Sequence, residues 1–270
     1  MPKPFITLTS DFGVQTQGVG IMEAVARSIN PEAHVIHLMH GLPDFDVLYA
    51  ARTMETLRDV PVGFHVCVVD PGVGTARKPI ILQVGRGDYL VGPDNGVFLP
   101  AARFLGGIVK AVEITNQKYM RLPVSPIFHG RDIFTPAAAH LSRGVPIEEF
   151  GRALSPSELI SGPYEEARQQ DKNTMDAKVI SINKFGSLHL NITHQAFDDF
   201  CVSLGSTLTF SLGTTTLQIP FVTTFGDVSR GKPLILKDDY GRVEVALNQG
   251  SFAKTYPIRI GEDVVLRKNG

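Results

Sequence analysis

Short apolar runs alternate with segments of helical periodicity over about the first 155 of the 270 residues. The apolar runs have the length of single strands. The run Phe64–Val69 is rich in the β-branched residue valine, which suits a strand that is buried on both faces of a sheet. Strands that alternate with helices predict an α/β domain with a mostly parallel sheet. The predicted strands are Phe5–Thr9, His34–Leu38, Phe64–Val69, Pro79–Val84, Asp88–Val91 and Val109–Ile114, and the predicted helices are Gly20–Ile29, Phe45–Leu57, Val97–Phe104 and Asp132–Leu141.

The pattern changes at a polar stretch that contains a Gly-Pro step and mixed charges. We therefore expect an N-terminal α/β domain at residues 1–162, a linker at 163–175 and a C-terminal domain at 176–270. Beyond the linker, short strand-like runs are separated by Gly, Asn and Asp turns, which predicts a smaller, antiparallel, β-barrel-like domain. These runs are Ala177–Ile182, Leu188–Ile192, Ser206–Leu212, Thr216–Ile219, Pro233–Leu236 and Val243–Leu247.

The charge balance argues against two classes of partner. The chain has 26 Lys and Arg residues and 27 Asp and Glu residues, so its formal net charge is -1. Binders of nucleic acid or membrane surfaces are usually basic, and we expect neither partner here. No run approaches the roughly 20 apolar residues of a membrane span. The two distant cysteines, Cys67 and Cys201, fit reduced thiols, so we expect a cytoplasmic protein.

The familiar metal and phosphate motifs are missing or incomplete. The eight histidines show no metal-ligand spacing, so no metal is expected. Gly13–Gly18 has the glycine spacing of a phosphate loop, but Val19 and Gly20 stand where that loop needs Lys and Ser or Thr. Neither the spacing of the histidines nor that of the glycines therefore assigns a function.

Polar clusters follow several of the predicted strands, where an α/β sheet binds its ligands. Asp11 and Asp70 each come directly after an apolar strand. Taken singly, each also fits a helix cap or an Asx turn, and Arg77 and His129 fit ordinary surface and loop positions. The four clusters are Thr9–Gly13, Val69–Arg77, Gly92–Val97 and Phe128–Phe134.

Together these strings resemble the S-adenosylmethionine hydroxide adenosyltransferase family, whose hydrolases are related to fluorinases and chlorinases. The resemblance covers nearly the whole chain, and its strongest parts are Thr7–Gly13, Val68–Arg77, Gly92–Val97 and Phe128–Leu141. It implies an N-terminal α/β domain, a C-terminal β-barrel-like domain and a homotrimer. It also implies active sites between the N-terminal domain of one subunit and the C-terminal domain of its neighbour.

The reaction implied by the resemblance is attack of water or hydroxide on the 5′ carbon of S-adenosyl-L-methionine, which is the substrate, with no cofactor. By the same resemblance, Asp70, Arg77 and His129 hold the attacking water, and Asp11 holds the ribose hydroxyls. The halide-forming relatives lack the Asp–Arg–His trio, so its presence favours water over chloride or fluoride. The remaining implied substrate contacts are Phe45 and Phe128 at the nucleoside, and Asn183, Phe185, Ser187, Asp239 and Asn248 toward the methionine end.

The identity of the proton acceptor stays open at this point. A carboxylate paired with a guanidinium is a poor base toward ground-state water. Asp70 can orient the water and take its proton late, or a neutral His129 can be the final acceptor. We expect Asp70 to position the water and His129 to share the proton.

The methionine end departs from the family pattern. Asn183 stands where relatives usually have Asp, Ser187 where they have Asn, and Asp238 and Asp239 where they have Asn-Ser. Since an ammonium group needs an acceptor, we expect Asp239 to supply the carboxylate that Asn183 lacks. Asp239 as a solvated turn residue, or a different amino-acid-like tail on the substrate, are the alternatives.

Three other functions compete with hydrolysis. The altered methionine end fits a non-catalytic sensor of S-adenosylmethionine or adenosine, although the Asp–Arg–His trio argues against it. A halide-dependent adenosyl transferase is disfavoured by the same three residues. A purely structural oligomer leaves the polar strand-end clusters unexplained.

Overall fold

The computed structural model describes residues 3–269, so residues 1, 2 and 270 of the expected domains lie outside the described part. The chain divides into two compact units, one ending at Pro163 and the other beginning at Tyr164. The first is an α/β unit and the second an antiparallel β unit, which confirms the predicted fold class. No helix within residues 3–269 combines the length and the apolar character needed to cross a membrane.

The first unit contains one sheet with helices packed on it. Its strands are β1 Phe5–Ser10, β2 His34–Met39, β3 Phe64–Val68, β4 Pro79–Val84, β5 Tyr89–Pro93, β6 Ile108–Ile114 and β7 Gly151–Ala153. Its α-helices are α1 Gln17–Ile29, α2 Val47–Met54, α3 Leu99–Phe104 and α4 Thr135–Ser142. A π-helical turn, Gly130–Phe134, leads directly into α4. Short 3₁₀ turns lie at Glu55–Asp59, Gln117–Tyr119, Ile147–Phe150 and Pro156–Glu158.

The sheet of the first unit is mixed, not mostly parallel. Its order is β2-β1-β3-β5-β4-β6-β7. The pairs β2-β1, β1-β3 and β3-β5 are parallel, whereas β5-β4, β4-β6 and β6-β7 are antiparallel. The turn between Val84 and Tyr89 is too short for a crossover, so β4 and β5 have to pair antiparallel. The parallel half brings the carboxyl ends of β1 and β3 side by side.

Helix α4 packs on the sheet through small side chains. Ala137, Ala138 and Ala139 are completely buried in the core of this unit. Because none of them has a long side chain, the helix approaches β1 and β3 closely. This close packing fixes the preceding π-helical turn and, with it, the position of His129.

The second unit is a single antiparallel sheet that curls on itself. The strands are β8 Arg168–Gln169, β9 Thr174–Ile182, β10 Leu188–Thr193, β11 Thr207–Leu212, β12 Thr215–Pro220, β13 Pro233–Lys237, β14 Arg242–Leu247 and β15 Asp263–Lys268. The order is β12-β11-β15-β9-β10-β14-β13, with β8 on β9. A bridge between Phe221 and Ile235 links the two outer strands and nearly closes the barrel. The short helices α5 His194–Asp199 and α6 Phe252–Thr255, and a 3₁₀ turn Phe225–Asp227, complete the unit.

A buried carboxylate, Asp88, holds the turn between β4 and β5 of the first unit. It accepts hydrogen bonds from Gly63 N at 3.1 Å, His65 Nε2 at 2.9 Å and Arg86 Nε at 2.8 Å. Burial alone raises the pKa of Asp88, but the hydrogen bonds from His65 and Arg86, together with the charge of Arg86, outweigh it and hold that pKa well below its usual range. Burial lowers the pKa of His65, so the imidazole is a neutral donor to this carboxylate.

We expect Asp88→Asn to lower the free energy of unfolding of the first unit by about 3 kcal/mol, because it removes one partner of a buried charged network. Urea unfolding followed by hydrogen–deuterium exchange of peptides from β3 and β5 measures this change. Asp59→Asn is the control, since its exposed side chain lies 3.7 Å from Arg58 and should change stability by less than about 0.5 kcal/mol. Equal stability of the two variants would contradict the assignment.

Candidate functional site

The two aspartates that follow parallel strands lie at one edge of the first unit. Ser10 of β1 is in register with Val68 of β3, so Asp11 and Asp70 emerge close together at the carboxyl ends. A cavity of about 300 Å³ lies at this edge. We call it the nucleophile cavity, and the residues that line it are Asp11, Phe12, Asp44, Phe45, Val68, Asp70, Val73, Ile127, Phe128, His129 and Gly130.

One arginine joins the acid and the imidazole of this cavity. Arg77 Nε donates to Asp70 Oδ1 at 3.1 Å, and Arg77 Nη2 donates to Asp70 Oδ2. The same Nη2 is 2.9 Å from His129 Nδ1. Asp70 and His129 line the cavity, whereas Arg77 lies behind them with its side chain 7% exposed. The structure thus brings the three residues together although they are far apart in the sequence.

Two features of the loops place these groups. Gly74 has a φ of +76°, and a Cβ at this position would lie 2.6 Å from the carbonyl oxygen of Pro126. Only glycine allows the loop after β3 to pack so closely against the segment that leads to His129. The guanidinium of Arg77 also lies over the ring of Phe134, 5.3 Å from its centroid, which fixes the arginine from the other side.

The hydrogen bond from Arg77 determines the protonation state of His129. A guanidinium nitrogen can only donate, so Nδ1 of His129 accepts, and the neutral ring carries its proton on Nε2. Burial, followed by the charge of Arg77, lowers the pKa of His129 and outweighs the opposing effects of Asp70 and Asp132. His129 is therefore neutral at pH 7.

Aromatic side chains and one carboxylate form the rest of the nucleophile cavity. Phe45 has a φ of +62° and a side chain that is 68% exposed. Its backbone N–H donates to Asp11 Oδ2 at 2.9 Å, which stabilises this uncommon conformation. Phe128 lies under the guanidinium of Arg131 at 5.0 Å and edge-on to Phe12 at 5.8 Å. The cavity thus offers aromatic surfaces next to a carboxylate acceptor.

The second unit has an open cavity of its own, of about 510 Å³. We call it the tail cavity, and it is lined by Asn183, Phe185, Ser187, Phe225, Glu244, Leu247, Gln249 and Gly250. Three of the residues expected at the methionine end, Asn183, Phe185 and Ser187, therefore lie together. The Oδ1 atom of Asn183 accepts the N–H groups of Phe185 at 3.0 Å and Ser187 at 3.1 Å, so this amide shapes the turn.

The other two residues expected at the methionine end, Asp239 and Asn248, are not among the residues that line the tail cavity. Asp239 is exposed in the turn that follows β13 and does not line the tail cavity. Its neighbour Asp238 is buried and accepts a hydrogen bond from His189 Nδ1 at 2.8 Å. Asn248 donates to the carbonyl oxygen of Val228 at 2.8 Å and so ties two loops together. These contacts anchor the side chains of Asp238 and Asn248 in the fold.

Two of the lining residues were given no role from the sequence. Glu244 belongs to the stretch Glu244–Asn248, which resembles the family only weakly, and it interrupts the apolar run of β14. Phe225 lies in a loop region without any motif. No group of three or more His, Cys, Asp or Glu side chains within residues 3–269 is arranged to hold a metal ion.

Comparison with known proteins identifies relatives over almost the full length. Family models described as the SAM hydroxide adenosyltransferase N-terminal and C-terminal domains match residues 6–151 and 177–265. A Salinispora tropica protein named (R)-S-adenosyl-L-methionine hydrolase is 38% identical over 97% of each chain. A Thermus thermophilus protein of the same name is 31% identical over 95% of this chain and 97% of its own. The crystal structure of an uncharacterized conserved protein from Thermotoga maritima matches with a TM-score of 0.88 and 30% identity, covering 97% of this chain and all of the other.

We expect Arg77→Gln to raise the pKa of His129. The substitution removes the cation that disfavours the imidazolium and leaves the Asp70 carboxylate unpaired beside the ring. NMR titration of the histidine ring signals, with His129 assigned from its absence in His129→Asn, measures the shift.

Lys78→Gln is the matched control for this titration, because Lys78 follows Arg77 in sequence but lies beside Asp94, at 3.8 Å. It should leave the pKa of His129 unchanged. A wild-type His129 that titrates at or above its usual 6.5, or the same value in Arg77→Gln, would contradict the assigned electrostatics.

Proposed function

The chain belongs to the SAM hydroxide adenosyltransferase family, and from this membership we infer that it is an enzyme that hydrolyses S-adenosyl-L-methionine to adenosine and L-methionine. One observation supports this function most directly. An acid, a guanidinium and a neutral imidazole meet at a cavity that also offers aromatic surfaces and the Asp11 carboxylate.

The chemistry requires little beyond positioning. The oxygen of water attacks the 5′ carbon, the carbon–sulfur bond breaks, and its electron pair returns to sulfur to give the neutral thioether of methionine. One proton is released from the attacking water. Because a sulfonium is already a good leaving group, no general acid and no cofactor are needed in this proposal. Holding one oxygen in line with the breaking bond can contribute roughly 7–11 kcal/mol.

We assign the positioning of water to Asp70 and His129. Arg77 holds both Asp70 oxygens, and each carboxylate oxygen keeps a further lone pair for the water. His129 presents Nε2–H and can donate to the water oxygen. Protonation of Nδ1 would require the loss of the bond from Arg77, which argues against His129 as the acceptor. This supports Asp70 as the group that takes the proton late, once carbon–oxygen bonding has made the water acidic.

The remaining contacts follow from the two cavities. Asp11 Oδ2 is engaged by Phe45 N, and no group in residues 3–269 donates to its Oδ1, which we assign to the ribose hydroxyls. Phe45 and Phe128 would hold the nucleoside. We assign the methionine end to the tail cavity, with Asn183, Phe185 and Ser187.

We also propose a homotrimer in which the first unit of one subunit and the second unit of its neighbour complete each active site. Each cavity is open and has a strongly exposed aromatic residue, Phe45 in one and Phe185 in the other, both 68% exposed. Phe45 shares its cavity with Ile127, which is 79% exposed, and Phe185 shares its cavity with Phe225, which is 42% exposed. Each cavity thus carries a patch of exposed apolar surface of the kind that a partner covers. The two unpaired thiols, Cys67 and Cys201, support a cytoplasmic location.

We expect the wild type to convert S-adenosyl-L-methionine to equal amounts of adenosine and methionine, and Asp70→Asn to lower kcat/KM by roughly 10²- to 10⁴-fold. The amide cannot accept the proton and cannot retain both bonds from Arg77. Chromatographic product analysis of the two proteins, side by side, measures the effect.

Asp44→Asn is the control for charge in the same cavity, because Asp44 lines it without any hydrogen bond to Arg77 or His129. It should retain most of the activity. An unimpaired Asp70→Asn would refute the assigned role. Binding without any adenosine would favour the sensor alternative, and formation of 5′-chloro-5′-deoxyadenosine in preference to adenosine, when chloride is added, would favour the halide-dependent transferase.

We expect kcat/KM to be constant between about pH 7 and 9 and to fall at acid pH. Activity requires neutral His129, whose pKa lies below 6.5, so the fall should have its midpoint below that value. Protonation replaces the hydrogen bond from Arg77 by repulsion between two cations. A profile that stays flat down to pH 5, or an identical acid limb in His129→Asn, would remove His129 from the mechanism.

A further inference from the structure

Glu244 is a buried carboxylate that has no hydrogen-bond or ion-pair partner among residues 3–269. It lies in the middle of β14, opposite His189 of β10 and Leu236 of β13, and the residue is 7% exposed. Neither a side chain nor a backbone N–H within residues 3–269 donates a hydrogen bond to its carboxylate or forms an ion pair with it. Its neighbour His189 is committed to Asp238, at 2.8 Å.

The absence of a hydrogen-bond donor distinguishes Glu244 from the other buried acids. Each of them accepts a hydrogen bond from a cationic side chain, a histidine or a backbone N–H. They are Glu55, Asp88, Asp94, Asp132 and Asp238. A buried carboxylate without donors costs several kcal/mol of free energy, so it is normally retained only where a ligand or solvent satisfies it. Glu244 lines the tail cavity, and this cavity has room for such a ligand.

The composition of the tail cavity defines the ligand. Glu244 is the one charged side chain among the described lining residues, so the cavity favours a cationic group. Two partly exposed rings, Phe185 and Phe225, line the same cavity and suit a short aliphatic or cationic chain. The combination of one carboxylate and two aromatic rings fits a primary ammonium group on an apolar chain.

We propose that Glu244 binds the α-ammonium group of the methionine moiety of the substrate. This inference rests on the proposed hydrolysis of S-adenosyl-L-methionine. It moves the acceptor from Asp239, which is exposed and outside the cavity, to a side chain inside it. Asn183 cannot take this part, since its amide is neutral and its Oδ1 is occupied by the N–H groups of Phe185 and Ser187.

The test compares two substrates in three proteins: wild type, Glu244→Gln and Asp239→Asn. The substrates are S-adenosyl-L-methionine and its deaminated analogue, in which hydrogen replaces the α-ammonium group. Glu244→Gln should raise KM for S-adenosyl-L-methionine by roughly 10- to 100-fold, with kcat changed much less. It should leave KM for the deaminated analogue unchanged. Asp239→Asn should behave like the wild type with both substrates.

The comparison separates this inference from the proposed function. An equal rise of KM with both substrates, an unchanged KM, or a selective loss in Asp239→Asn would each overturn the role of Glu244. If the wild type forms no adenosine, the proposed function fails, and calorimetric binding of the two compounds by the same proteins still decides the role of Glu244. Gln has the shape of Glu, and Glu244 makes no hydrogen bond or ion pair within residues 3–269 that the substitution could break, so thermal melting should show an intact fold.

Discussion

The candidate site depends on the fork of hydrogen bonds that Arg77 makes to Asp70 and His129. The guanidinium binds both carboxylate oxygens and one imidazole nitrogen, so it sets the orientation of two groups that come from different loops. The positive charge of Arg77 also balances the negative charge of Asp70. With His129 neutral, the three side chains together carry no net charge, so they do not repel a sulfonium. Protonation of His129 would break the fork and place a net positive charge next to the reacting carbon.

Both cavities favour a cation, although the whole chain is nearly neutral. Asp11, Asp44 and Asp70 line the nucleophile cavity without a lysine or an arginine among its described lining residues, and Glu244 lines the tail cavity in the same way. S-Adenosyl-L-methionine carries a sulfonium and an ammonium, and in the proposed function each unit offers negative charge to one of them. Selectivity of this kind arises from local groups at short range, because surface charges at longer distances are screened by salt.

The sequence predicts the parts of this protein that depend on local patterns. The strand that precedes Asp11 and the strand that precedes Asp70 are visible as apolar runs, and their parallel pairing places both acids at one edge. Strand β15, Asp263–Lys268, escaped prediction because only three apolar residues separate its charged ends, although it pairs with β9 and β11. The mixed character of the sheet depends on which strands pair, and no local pattern contains that information.

The tail cavity shows why the sequence led to Asp239 and the structure leads to Glu244. Asn183 holds its turn through Oδ1, an atom that Asp and Asn share, so the exchange keeps the turn and removes only the charge. From sequence alone, Asp239 is the natural replacement, because it is an acid at a position where the relatives usually have an uncharged residue. A charge inside a strand is instead read as a surface position, because alternation usually turns every second side chain to water. In β14 both faces are buried, and the face that carries Glu244 opens into the cavity. The tail cavity therefore still has a negative charge, and Glu244 of β14 supplies it in place of residue 183.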